Sequence, residues 1–175
     1  MSNDQILQNK TIIVTGASTG IGQAFAVACA SYGAKIIVAD MNSGEETVKI
    51  VKSNGGEAKF VEVDVANENS TNLMAKAAYD WTGRVDGLIN NAAYFREVKL
   101  TPFEEIDVAV WDKIFDVNVK GIWQCSKAVI PYMRNNKGGS IINISSVVAV
   151  AGQPGYLHYV ATKGAVLAMT KGLAK

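Results

Sequence analysis

A doubly wound α/β fold, in which a parallel sheet carries helices on both faces, is what this sequence predicts, and three observations predict it. Short apolar runs alternate with longer amphipathic stretches along the chain. The runs are continuously apolar and rich in β-branched residues, the pattern of strands buried on both faces. The first run enters a glycine-rich turn that opens a helical stretch. Right-handed crossovers between such strands lead to the doubly wound arrangement.

The elements follow in order. "TIIVTG" (11–16) is the first strand, and "GIGQAFAVACASYG" is a helix ending at Gly33. "AKIIVAD" (34–40) is the second strand, followed by a helix from Ser43 to Asn54 that Gly55 and Gly56 stop. "AKFVEVDV" (58–65) is the third strand and "NENSTNLMAKAAYDWTG" the third helix. "VDGLINNAA" (85–93) and "SIINISS" (140–146) are the fourth and fifth strands. Between them, 107–135 is long enough for one extended helix or two in tandem. A final helix begins near His158. No repeat, low-complexity tract or linker interrupts the pattern, so residues 1–175 are expected to form one domain.

Composition excludes several classes of function. With 49% apolar and 19% charged residues, the chain has the makings of a sizeable core and is not of the disordered type. Net charge is +1 with the two signs interleaved, and no basic stripe marks a nucleic-acid partner. No cationic amphipathic helix, and no apolar run of spanning length, marks a membrane partner. The polar start "MSNDQILQNK" has no apolar signal core, which leads us to expect a soluble cytoplasmic protein. Cys29 and Cys125 lie far apart in helical patterns and are expected to be reduced core residues. One histidine and no cysteine cluster leave no zinc site in prospect.

Chemistry enters at the first turn. "TGASTGIG" places Gly16, Gly20 and Gly22 around Ser18, Thr19 and Ile21. Such a turn lets backbone approach a ligand that any side chain would block. It also aims free N–H groups and the positive end of a helix at an anion. Its G-x-x-x-G-x-G spacing departs from the usual G-x-G-x-x-G, and alone it could be a mere tight turn. The second strand, however, ends in Asp40, at about the separation of the acidic residue that binds an adenosine ribose. A carboxylate there accepts hydrogen bonds from both ribose hydroxyls and repels a 2′-phosphate. No lysine or arginine occurs in "ASTGIG" or "DMNSG" to hold that phosphate, which favours NAD over NADP. The other reading of Asp40 is a cap for the next helix.

Tyr159 and Lys163 stand four residues apart, on one face of the last helix. With them the sequence resembles the short-chain dehydrogenase/reductase family along its whole length. The matches fall in the family's order: Thr15-Gly16-x-x-x-Gly20-x-Gly22, Asp64-Val65, Asn90-Asn91-Ala92-Ala93, Asn118, Ser146 and Tyr159-x-x-x-Lys163. The resemblance implies that the Thr15–Gly22 turn cradles a pyrophosphate. It implies that Asp64 bonds the adenine amino group with Val65 beside the ring, and that Asn90, Asn91 and Ala92 flank the cofactor. Ala93 stands where the family usually has glycine, which is acceptable wherever φ is negative. The resemblance also assigns Ser146, thirteen residues before Tyr159, to polarise the substrate oxygen, leaving Ser145 a local hydrogen bond. Asn118 would anchor a water between Lys163 and solvent, or else be an ordinary helix asparagine bonding backbone.

The implied reaction is hydride transfer between NAD and a secondary alcohol or ketone by a Ser-Tyr-Lys mechanism. An unperturbed tyrosine titrates near ~10, and bringing it to about 7 takes roughly 4 kcal/mol. A lysine ammonium about 4 Å away supplies on the order of 4 kcal/mol at an effective dielectric near 20. Lys163 is therefore expected to lower the Tyr159 phenol. His158, beside it, is expected to bond locally and is given no catalytic role. The other readings are a catalytically inactive dinucleotide-binding fragment or sensor, and an epimerase of the wider family that retains its cofactor. Tyr94, Phe95, Phe103 and Tyr156 would form part of a pocket for an apolar or aromatic substrate, or else belong to the core.

The stretch Trp111–Met133 and the last helix are apolar on more sides than a surface helix needs, which predicts a homodimer or homotetramer built on them. Similar proteins run well past this length with two further strands, a substrate loop and a segment gripping the nicotinamide carboxamide. The expectation is thus a Rossmann domain that stops within its last helix at Lys175, leaving the fifth strand as an apolar edge.

Overall fold

The computed structural model describes residues 5–174, so the expected end of the last helix at Lys175 lies outside the described residues. The chain alternates β1 (Thr11–Thr15), α1 (Gly20–Ser31), β2 (Lys35–Asp40), α2 (Glu45–Ser53), β3 (Glu57–Glu62), α3 (Glu68–Thr82) and β4 (Gly87–Asn90). It continues through α4 (Val108–Phe115), α5 (Gly121–Asn135), β5 (Ser140–Asn143), α6 (Val148–Ala151) and α7 (Leu157–Leu173). The five strands form one sheet in the order β3-β2-β1-β4-β5, and every pairing is parallel.

β1 is central and buried at all five positions, and its alternate side chains feed two cores. Ile13 joins Ile37, Met74, Leu88, Cys125 and Val129 beneath α3 and α5. Ile12 and Val14 join Ala26, Ala30, Val38, Val48 and Val51 beneath α1 and α2. Two cores on two faces are what continuous apolar strands require.

Turn chemistry sets most boundaries. The Asn67 side chain accepts from Ser70 N at the start of α3, and Gly83 closes that helix in the left-handed conformation, its N–H donating to Tyr79 O at 2.7 Å. Three strands end earlier than their apolar runs. β3 gives way after Glu62 to a turn in which the Asp64 carboxylate accepts from Ala66 N. β4 stops at Asn90 because Asn91 N and Ala92 N leave the ladder to donate to the Thr15 hydroxyl, each at 3.1 Å. β5 stops at Asn143, and "VAVA" beyond it forms the short α6 despite its β-branched residues.

Between β4 and β5, after a 3-10 turn at Phe103–Glu105, a continuous run of helix extends from Val108 to Asn135, with a π-helical turn at Asp116–Lys120 joining α4 to α5. β5 is one of the two sheet edges, and Ile142 on it is half exposed. Cys125 is a core thiol as expected, but Cys29 is only partly buried, at the margin of the α1 core. Among the described residues, no helix is long and apolar enough to cross a membrane.

Candidate active site

The strand order reverses between β1 and β4, and the turn after β1 opens there into a cleft of about 320 Å³. In open α/β sheets this is where ligands bind. Gly16 adopts φ +65°, and a Cβ on it would meet Ala92 Cα at 2.8 Å. Gly22 would meet the Gly16 carbonyl oxygen at 2.1 Å, so it lets α1 pack directly on the turn. Gly20 (φ +62°) faces open space. Thr19 caps α1 without a side-chain hydrogen bond, so the first N–H groups of α1 have no capping acceptor. Ile21, one of the expected ligand residues, is exposed at the helix start.

Gly16, Ser18, Thr19, Asp40, Asp64, Val65, Asn91, Ala92 and Ala93 line this one cleft, whereas Gly20, Ile21, Gly22, Tyr159 and Lys163 lie outside its lining. Asp40 does not cap α2, whose N-cap is Gly44. Its carboxylate instead accepts from Ser18 N at 2.9 Å and from Asn42 N at 2.9 Å, tying the end of β2 to the glycine turn. Asn91 donates through Nδ2 to the carbonyls of Thr15 and Gly16, both at 3.0 Å, and so locks the turn from the β4 side. Among the described residues, only Asn9 and Lys137 have positive φ without being glycine, so Ala93 occupies ordinary backbone. A negatively charged dinucleotide fits this cradle: unspent N–H groups face the turn, no Cβ intrudes at Gly20, and carboxylates stand beyond it.

Asn118 sits in the π-helical turn and is buried. It accepts from Tyr94 N at 2.7 Å and donates to Tyr94 O and to Thr162 Oγ1. A π turn rotates one residue out of α-helical register. Here that residue clasps the loop after β4 to α7. The side chain bonds backbone, as one of the two sequence readings had it, and links the cleft to the second group of residues.

That group is Ser146, Tyr159 and Lys163. Ser146 stands against the Tyr159 phenol, whose pKa it pulls down, and its hydroxyl accepts from Val148 N at 3.4 Å, whereas Ser145 donates to the Lys163 carbonyl at 2.9 Å. The Lys163 ammonium lies 5.6 Å from the Tyr159 ring centroid and donates to the Ile144 carbonyl at 2.7 Å. The expected lowering of the phenol by Lys163 is therefore not found. Burial raises the Tyr159 pKa above its usual value, with Ser146 pulling the other way. Burial in turn lowers Lys163 to about 8. The i, i+4 spacing brings the two side chains together but does not decide where the ammonium points.

His158 is buried, its Nδ1 has no hydrogen-bond partner, and burial lowers its pKa; it makes no local bond of the kind expected. Several residues without a sequence motif complete the site. Phe95 packs at a tilt against Tyr159, with centroids 4.3 Å apart, and against Tyr156 at 5.8 Å. Arg96 and Lys113 line the cleft from loops and helices remote in sequence, so cations are not confined to the two windows that argued against NADP. Adjacent aromatic residues after a strand were the only signal for Phe95, and nothing local marked Arg96 or Lys113.

The sequence profile of the short chain dehydrogenase family matches residues 10–175. An uncharacterized oxidoreductase of Bacillus subtilis is 42% identical over 170 residues, covering 96% of this chain and 61% of that protein. A 3-oxoacyl-(acyl-carrier-protein) reductase of Synechocystis is 38% identical over 172 residues, covering 97% of this chain and 68% of that one. The solved structure of NAD+-bound xylitol dehydrogenase matches with a TM-score of 0.92 at 30% identity, over 97% of this chain and 65% of the other. The chain thus spans 61% to 68% of the length of these proteins.

Proposed function

This chain belongs to the short-chain dehydrogenase family, and on that premise we propose that it serves as the NAD-binding and catalytic part of an oxidoreductase acting on a secondary alcohol or ketone. The observation that carries the reading is the meeting of Ser146, Tyr159 and Lys163 at one place, with Ser146 favouring the phenolate and the buried Lys163 ammonium 5.6 Å from the Tyr159 ring centroid. Binding a dinucleotide requires none of the three.

The residue roles follow from chemistry. The turn N–H groups at Thr19–Gly22 hold the pyrophosphate, Asp40 the adenosine ribose, and Asp64 with Val65 the adenine. When bound, the nicotinamide supplies the hydride acceptor or donor. Ser146 donates to the substrate oxygen where charge develops. Tyr159 gives or takes the hydroxyl proton. With its pKa raised, the phenol is protonated at neutral pH, the form that ketone reduction needs. Lys163, lowered to about 8, is still mostly charged there.

Trp123, Leu157 and Leu167 remain exposed on α5 and α7, which supports a homodimer or homotetramer through these helices. A monomeric mass in light scattering would contradict it. One observation favours a second reading, a dinucleotide-binding module without catalysis: the phenol is raised rather than lowered. Tyr159→Phe separates the two. An enzyme should lose on the order of 10²–10⁴-fold in turnover with its NAD affinity intact. A module loses nothing, and that result would refute the oxidoreductase.

A further inference from the structure

We propose that Thr47, assisted by Gln23, is a positioning residue for pyrophosphate binding: it clamps the carbonyls of the glycine turn away from the anion. The inference rests on the dinucleotide reading and extends it to α2, outside the glycine motif.

A diphosphate attracts backbone N–H groups and repels backbone carbonyls, so a phosphate turn must hold its carbonyls elsewhere. In the segment Ala17–Ser18 this is done by one side chain. Thr47, fully buried on α2, approaches Ala17 O at 2.9 Å and Ser18 O at 3.1 Å. Gln23 Nε2 donates to Thr47 Oγ1 at 2.8 Å and reaches Ser18 O at 3.3 Å. A threonine hydroxyl has a single proton to give. Gln23 already donates into the oxygen, so that proton is directed at the two carbonyls. A helical threonine ordinarily bonds a carbonyl in its own preceding turn. This one crosses to a turn about thirty residues away.

The N–H groups of the segment are committed as well. Ala17 N donates to Ala39 O at 3.4 Å and Ser18 N to the Asp40 carboxylate at 2.9 Å. Both residues are thus bonded through N–H and C=O alike to the β2–α2 segment. What remains for a ligand is the run of N–H groups from Thr19 onward, all of one sign. Asp40 and Thr47 also fasten the ribose end of the cleft to its phosphate end, which makes the two ends one preorganised unit.

The test compares ligands with and without phosphates. ADP-ribose carries the pyrophosphate, and adenosine occupies only the adenine and ribose positions. Thr47→Val keeps the shape and removes the hydroxyl. The chain with this change should bind ADP-ribose about tenfold more weakly, the loss of roughly one hydrogen bond's preorganisation. Its affinity for adenosine, followed by NMR titration, should change less than about twofold, and Thr47→Ser should restore ADP-ribose binding. A purely structural role predicts parallel losses for both ligands, and that result overturns the proposal, as does unaltered ADP-ribose binding. Gln23→Met serves if the valine variant fails to fold: ADP-ribose should weaken about threefold with adenosine unaffected, and no selective loss overturns the clamp. Failure of the unmodified chain to bind ADP-ribose at all overturns the dinucleotide reading and the clamp with it.

Discussion

The two halves of the site are prepared in different ways. On the β1–β2 side the ligand groups are backbone, and their positions are fixed by hydrogen bonds with side chains. Asp40 holds Ser18 N, Asn91 holds the Thr15 and Gly16 carbonyls, and Gly16 and Gly22 leave no space for an alternative path. On the β5–α7 side the working groups are side-chain termini, and burial opposes the ionisation that the chemistry needs. The Tyr159 phenol is raised and the Lys163 ammonium lowered to about 8. A backbone cradle is complete once the chain folds. A buried ionisable pair depends on whatever charge enters beside it.

The largest effect should come from the second half. Lys163 is lowered from 10.5 to about 8, so the folded state holds fewer protons than the unfolded state between those values. Stability should therefore rise with pH across that window, because the cost of burying the ammonium is relieved. Relative to Lys163→Met, which has no such proton, the unmodified chain should gain on the order of 2 kcal/mol from pH 8 to pH 10. Urea melts at several pH values measure it, and a pH-independent difference would show that the ammonium is not a buried charge.

The glycine turn offers the next effect. Gly22→Ala drives a methyl group into the Gly16 carbonyl, with an expected loss of about 1–3 kcal/mol in thermal melts. Gly20→Ala meets no atom and carries only the strain of φ +62°, about 1 kcal/mol, yet it places a methyl group where the anion would sit. Stability should fall more in the first, and NAD affinity relative to stability more in the second. Similar profiles for the two variants would break the distinction between packing glycine and binding glycine.

The smallest effect concerns the cysteines. Burial pushes the Cys125 thiol up to about 12, and Cys29 is raised less completely at the edge of its core. A thiol reagent should label Cys29 slowly and Cys125 only on unfolding. Equal labelling of both in the folded chain would contradict the packing of α5.

What was legible in the sequence follows the same division. Apolar runs and turn residues mark all five strands in order, because periodicity and glycine positions report backbone directly. The residues around Gly16, Asp40, Asp64 and Asn91 do meet in one cleft. Strand ends were misjudged where a side chain diverts the backbone, as the Thr15 hydroxyl does at Asn91. The π-helical turn at Asn118 left no trace, since a shift to i→i+5 bonding has no composition of its own. The orientation of Lys163 toward Ile144 was invisible for a related reason: spacing fixes where Cβ atoms lie, not where a four-carbon stem ends. Thr47 was silent because its partners lie on another turn of the chain.

The most direct test is calorimetric titration of the chain with NAD and with NADP, alongside the Asp40→Ala variant. We expect saturable binding of NAD, at least about tenfold weaker binding of NADP, and loss of that preference in the variant together with weaker NAD binding as the glycine turn loosens. Equal affinity for the two dinucleotides in the unmodified chain, or no saturable binding of either, would contradict the assignment of this cleft.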